Sequence, residues 1–141
     1  MDTLNSEQIN ESLIKQLYDI KLGFDYLLES KSGEILDVKS KVLYLISTHE
    51  VSTPKYLIEI LGVAKSNLAV ACKSLQEDKL IKRKTNKFNK REIYYEATVK
   101  GKKTINKKLE NIEKSLGNLE NEEAILEYGK KFASLFWREQ C

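Results

Sequence analysis

Thr53-Pro54-Lys55-Tyr56-Leu57-Ile58-Glu59-Ile60-Leu61-Gly62-Val63 is the stretch on which the reading of this chain turns. Thr53 suits a helix N-cap, and Pro54 suits the first helical position, where its missing N–H forfeits no hydrogen bond. Leu57, Ile58 and Leu61 fall on one helical face. Gly62 then fits the position just past the helix, where the backbone turns left-handed. A second short helix follows at about 65–78. Its inward face is Leu68, Ala71, Cys72 and Leu75, and its other face shows Lys65, Ser66, Asn67, Ala69, Val70 and Lys73. Two short helices joined across a glycine, the second with a small-residue polar face, form the helix-turn-helix pattern.

Working outward, the period of the sequence changes. Leu80-Ile81-Lys82-Arg83-Lys84 and Glu92-Ile93-Tyr94-Tyr95-Glu96 read as two strands. The basic loop 85–91 joins them. A hairpin directly after a helix-turn-helix is a wing. Thr98 caps a helix over 99–117, Gly117-Asn118 breaks it, and a last helix runs over about 119–139. Upstream, Asp37 caps a helix over 38–49. The first helix, 6–29, carries Ile9, Leu13, Ile14, Leu17, Tyr18 and Phe24 at spacings of mostly three and four, with Ser6 as its cap. The expected fold is therefore mostly α with a small β wing. Residues 1–36 form an N-terminal helix and loop, 37–98 a winged lobe, and 99–141 the C-terminal helices, in one compact chain.

Composition bounds the function. At 141 residues, 41% hydrophobic and 32% charged, the chain is one ordinary globular domain. No apolar run approaches the roughly 18 residues that span a bilayer, and the acidic, polar N-terminus is not a secretory signal. Cys72 and Cys141 cannot build a disulfide framework, which points to the cytoplasm. One histidine, His49, and two cysteines argue by their scarcity against a metal site, and His49 reads as polar surface at a helix end. There is no glycine-rich phosphate loop, no nucleophile elbow and no paired carboxylate constellation, so no enzyme is read here.

The net charge of +3 hides an asymmetry. The segment from Lys79 to Lys108 holds twelve lysines and arginines against Glu92 and Glu96, a local charge of +10 that leaves −7 for the rest. A basic block on an otherwise acidic chain points to a polyanionic partner. An isolated lysine run reads as a solvated face. This one is placed on and behind a wing.

Three pieces of sequence carry a family resemblance over about Val42–Gly101. They are the helix ending in Leu61-Gly62-Val63, the exit Leu75-Gln76-Glu77-Asp78-Lys79-Leu80-Ile81, and Asn89-Lys90-Arg91 followed by Ala97-Thr98-Val99-Lys100-Gly101. In that order and spacing the chain resembles the MarR family of winged helix-turn-helix regulators. Asn89 stands where the family often has Asp, and Lys79 where it often has Gly.

The resemblance implies a homodimeric, ligand-responsive repressor binding a palindrome in double-stranded DNA, with no cofactor beyond a possible small-molecule effector. On the residues, Ser66, Asn67, Ala69, Val70 and Lys73 are placed to read base edges in a major groove about 12 Å wide. Thr53, Lys55, Tyr56, Lys65, Lys84, Lys87 and Lys90 are candidates for backbone phosphates, Arg91 is the candidate for a minor groove, and Asn89 either braces Arg91 or touches the DNA backbone. Phe88 at the wing tip is either a packing residue or a wedge. Ile9, Leu13 and Leu17, with Ile125, Gly129, Phe132 and Phe136 at spacings of four, three and four, form apolar stripes for a two-fold interface. Tyr18 and Tyr44 are candidates for the effector pocket that the resemblance implies, and ordinary core aromatics otherwise. Two other functions fit the same residues: a non-specific architectural DNA-binding protein, and a winged-helix module that binds protein.

Overall fold

The computed structural model describes residues 6–31 and 36–140, with side-chain surroundings over 12–29 and 36–137. The side chain of Ile9 and the whole of Cys141 lie outside the described residues.

The chain runs through α1 (Ser6–Asp25), α2 (Val38–Thr48), α3 (Pro54–Leu61), α4 (Lys65–Glu77), β1 (Ile81–Thr85), β2 (Ile93–Ala97), α5 (Val99–Leu116) and α6 (Glu122–Gln140). The core forms around α2. Val42, Leu43, Leu45 and Ile46 are buried against Leu57 of α3, Leu68 and Leu75 of α4, Ile81 and Tyr95 of the hairpin, and Ile105 of α5. Burying each aliphatic side chain contributes about 1.5–3 kcal/mol, so this cluster holds the middle of the chain together.

Helix ends follow their caps. Asp37 Oδ1 accepts from Ser40 N at 2.8 Å. Hydrogen bonding from Ser40 holds the Asp37 carboxyl below its ordinary range. Thr98 Oγ1 accepts from Gly101 N at 3.0 Å and starts α5. Gly62 closes α3 in the left-handed region, φ 63°, ψ 31°. Thr53 holds the N-cap position of α3 with an extended backbone, but its hydroxyl makes no capping bond.

The hairpin is antiparallel, with Ile81 opposite Ala97 and Thr85 opposite Ile93. Both strands start one residue later than the sequence pattern predicts. Leu80 N donates to Leu75 O at 2.9 Å, so Leu80 belongs to the exit from α4. Glu92 N donates to Asn89 O at 3.0 Å, so Glu92 belongs to the turn. Two helices are corrected as well. The first is α-helical only to Asp25 and continues as a π-helical turn, Tyr26–Lys31, that packs on α5. The last begins at Glu122 instead of 119, because Glu122 N is still in a turn with Leu119 O at 3.3 Å. The winged helix-turn-helix and its flanking terminal helices are otherwise as expected. Both terminal helices leave large apolar side chains exposed.

Candidate nucleic-acid interface

Helix α4 divides cleanly. Leu68, Ala71, Cys72 and Leu75 are buried, while Lys65, Ser66, Asn67, Ala69, Val70 and Lys73 are all exposed. Val70 is 70% exposed, an apolar residue left out on a polar face. The far end of α4 is gripped from two helices. Lys39 of α2 pairs with the Asp78 carboxylate, and Lys100 of α5 donates to the Asp78 carbonyl at 3.1 Å. Cations there also oppose the negative end of the helix dipole. The Lys39 ammonium holds the Asp78 carboxyl below its ordinary range. Cys72 lies beside the Tyr95 hydroxyl on the inward face, and burial pushes its thiol up, so it packs as a small hydrophobe.

The wing loop is held by asparagines. Asn86 N donates to Glu92 O at 3.0 Å and closes the loop. Asn86 Oδ1 accepts from Phe88 N at 2.9 Å, and Asn86 Nδ2 donates to Glu92 Oε2 at 3.1 Å. Asn89 Oδ1 accepts from Arg91 N at 3.1 Å. Asn89 thus braces Arg91 through the backbone. Lys87, Phe88 and Lys90 are exposed at the tip.

The wing cations differ in availability. Lys84 Nζ sits 3.0 Å from Glu96 Oε2 on the neighbouring strand, which raises its pKa. Among the described residues, no ion pair engages Lys87, Lys90 or Arg91. Arg91 lines a groove of about 650 Å³ between the wing and the start of α3, with Thr53, Lys55, Tyr56, Asn86 and Tyr94. The start of α3, from Thr53 to Tyr56, lines one side of this groove. Lys55 Nζ lies 5.8 Å from the centre of the Tyr56 ring. The Thr53 hydroxyl is enclosed without a partner, so it does not present itself to a phosphate.

His49 is not the polar surface residue that the sequence suggests. It is half-buried and stacked on Trp137 of α6, ring centres 3.8 Å apart and 11° from parallel. Its Nε2 is 3.3 Å from the Tyr44 hydroxyl, and burial lowers its pKa. Tyr44 therefore belongs to an aromatic junction between α2 and α6. Tyr18 lies apart from it, exposed on α1.

The stripe residues Leu13, Leu17, Phe132 and Phe136 are exposed. Ile125, Gly129 and Phe132 line an apolar cleft of about 270 Å³ with Ile20 and Phe24 of α1. A β-carbon on Gly129 would meet nothing. Among the described residues, no three His, Cys, Asp or Glu side chains gather as metal ligands, and no helix is long and apolar enough to cross a membrane.

No protein-family model and no curated relative matches the chain. Its likenesses are to solved structures. A point mutant of MarR from E. coli is 20% identical and has a TM-score of 0.62, with 94% of this chain and 98% of that one covered. The transcriptional regulator BldR from Sulfolobus solfataricus is 22% identical, TM-score 0.56, over 93% and 99%. FabT from Streptococcus pneumoniae, in complex with DNA, is 18% identical, TM-score 0.50, over 97% and 100%. At these identities what is shared is the fold: the winged helix of MarR-type regulators, over nearly the whole chain.

Proposed function

We propose, from a chain with the fold of MarR-type transcriptional regulators, that it is a sequence-specific regulator of transcription that binds double-stranded DNA. One observation carries the reading. The exposed face of α4, hydrogen-bonding at Ser66 and Asn67 and small at Ala69, stands beside a wing whose lysines at the tip have no ion-pair partner among the described residues. Base readout needs the first, and phosphate contact needs the second. On this reading α4 enters the major groove, with Lys65 and Lys73 at its margins. Lys55, Tyr56 and the start of α3 take phosphates, and Arg91 follows the minor-groove edge. That FabT was solved with DNA supports the same use of the fold.

The protein acts as a homodimer on a palindrome. Leu13 and Leu17 on α1 and Phe132 and Phe136 on α6 are exposed, apolar stripes of the kind that mark an interface, and two copies of α4 would read two half-sites about one helical turn apart. It works as a ligand-responsive repressor, with the Tyr44 junction as the place where an effector in reach of both α2 and α6 would act.

Two measurements test this. The first is fluorescence anisotropy on duplexes from the protein's own upstream region and on scrambled duplexes, each over a salt series. A specific site bound at least about 10³-fold tighter is the expected result. Equal affinity on both would replace the reading with an architectural one. The second is sedimentation: a dimer at micromolar concentration is expected, and Phe132→Glu with Phe136→Glu should give monomer.

A further inference from the structure

From the wing tip we infer that Phe88 is an apolar wedge for duplex DNA, inserting at a base step and making the protein select sites for their deformability; this rests on the DNA-binding reading above. Phe88 is 98% exposed, the most exposed large apolar side chain among the described residues. It belongs to no other surface. The core lies around α2, and the apolar stripes lie on α1 and α6.

Its exposure is built. The Phe88 N–H is held by Asn86 Oδ1 at 2.9 Å, and the loop is closed beneath it by Asn86 N to Glu92 O and Glu92 N to Asn89 O, both 3.0 Å. A loop fixed on both sides of a fully exposed ring presents that ring in advance of binding. Lys87 and Lys90 flank it, exposed and without ion-pair partners among the described residues. The partner must therefore take an aromatic ring and several cations within one small footprint. A duplex does both: its phosphates meet the lysines, and a partly opened base step takes the ring. Side chains of this kind entering the minor groove unstack a step and kink the duplex. Pyrimidine–purine steps yield most easily. Phe88 thus adds specificity at positions where no side chain reads a base edge, complementing Asn67 and Val70 on α4.

The test uses the full-length chain on its best-bound duplex, with one TA step moved through the flank and 2-aminopurine beside it. Affinity, 2-aminopurine emission and bending by end-to-end energy transfer are read together. The parent protein should bind, raise the emission when the TA step lies under the wing, and bend the duplex. Phe88→Ala should bind about tenfold more weakly at that placement, the loss expected of one stacked ring. Its bend and emission rise should vanish, while its salt slope and thermal midpoint stay as in the parent. Phe88→Leu should keep most of the bend, and Lys87→Ala should keep it fully while flattening the salt slope. Full bending and emission by Phe88→Ala would overturn the wedge and leave the DNA-binding reading standing. Binding of the parent to no duplex would overturn both. Phe88-dependent binding to anionic lipid vesicles, with DNA affinity unchanged in Phe88→Ala, would overturn the wedge in favour of a membrane contact.

Discussion

A β-carbon on Gly101 would fall 2.1 Å from the carbonyl oxygen of Leu80 and 3.0 Å from its carbonyl carbon. Neither side has room to yield. Leu80 O already accepts from Thr98 N at 3.0 Å and from Thr98 Oγ1 at 3.2 Å, and Leu43 Cδ1 stands 3.3 Å away on the other side. Helix propensity alone would make alanine better than glycine here by about 1 kcal/mol. The clash is larger. Gly101→Ala should destabilise the fold by about 3 kcal/mol, at the upper end for overpacking, read as a lowered urea midpoint. An unchanged midpoint would mean α5 can slide off the strand entry.

Lys79 sits at φ 60°, in the left-handed region where side chains are strained. Gly62 sits at φ 63° with no side chain to strain. The two positions should answer in opposite senses. Lys79→Gly should raise stability by about 0.5–1 kcal/mol, because relief of strain exceeds the added freedom of the unfolded chain. Gly62→Ala should lower it by about 1 kcal/mol. Thermal melts without DNA measure both. Lys79→Ala should do little, since alanine meets the same strain.

Burial beneath Trp137 disfavours the charged form of His49, so its folded pKa lies below 6.5. As pH falls, the unfolded chain therefore takes up the proton first. The stability tied to neutral His49 is full above about pH 6.5 and is lost as pH falls from there through the lower folded value. Urea midpoints should drop between about pH 7.5 and 5, and His49→Phe should remove most of that drop. The carboxyls of Asp37 and Asp78 act only at lower pH, starting near 3.8. Trp137 is the sole tryptophan, so its emission should follow the same titration.

Lys84 and Lys87 carry the same charge on the same wing and should behave differently toward DNA. Removing one cation that neutralises a phosphate flattens the slope of log affinity against log salt by about one unit. In the proposed dimer each substitution removes one cation from each subunit, so Lys87→Ala should flatten the slope by about two units, and Lys84→Ala much less, because Glu96 already engages Lys84. Glu96→Gln should free Lys84, steepen the slope and tighten binding to specific and scrambled duplexes alike. Identical slopes for Lys84→Ala and Lys87→Ala would show that the Lys84 pair dissolves on binding.

Asn67 and Val70 are neighbours on the exposed face of α4, about one turn apart. Asn67→Ala and Val70→Ala should each cost about 1–3 kcal/mol on the specific duplex and relax preference at one or two base positions. Their salt slopes should stay unchanged. Equal losses on scrambled DNA would deny them direct readout.

What the sequence made legible was what local chemistry determines. Thr53-Pro54 and Gly62 bracket α3, Asp37 and Thr98 cap where expected, and the apolar face of α4 is buried residue for residue. What it hid is tertiary. The pattern placed Gly101 in a motif without showing that a carbonyl lies against it. Lys79 stands where the resembled family often has Gly, and only its backbone angle, φ 60°, shows the strain that this entails. His49 follows a helix end, where polar surface is the natural reading, and only the return of α6 brings Trp137 over it. At the wing, Phe88 was open to two readings because exposure depends on what folds over a loop, and among the described residues nothing does. The sequence makes Arg91 a minor-groove candidate in the wing loop, and the structure adds that it lines the groove beside Lys55 and Tyr56.

A hairpin of two strands has an open edge on each, and open edges invite other chains to pair with them and polymerise. Here β2 is covered on its far side, where Tyr95 N donates to Ser52 O at 3.0 Å. The outer strand β1 carries Lys82, Arg83 and Lys84 in succession, all exposed. Stacking a second such strand alongside would bring like charges face to face. The cations of the wing thus also protect the protein from self-association into fibres. A variant stripped of them to weaken polyanion binding would become poorly soluble at high concentration, most of all in high salt, where the remaining repulsion is screened.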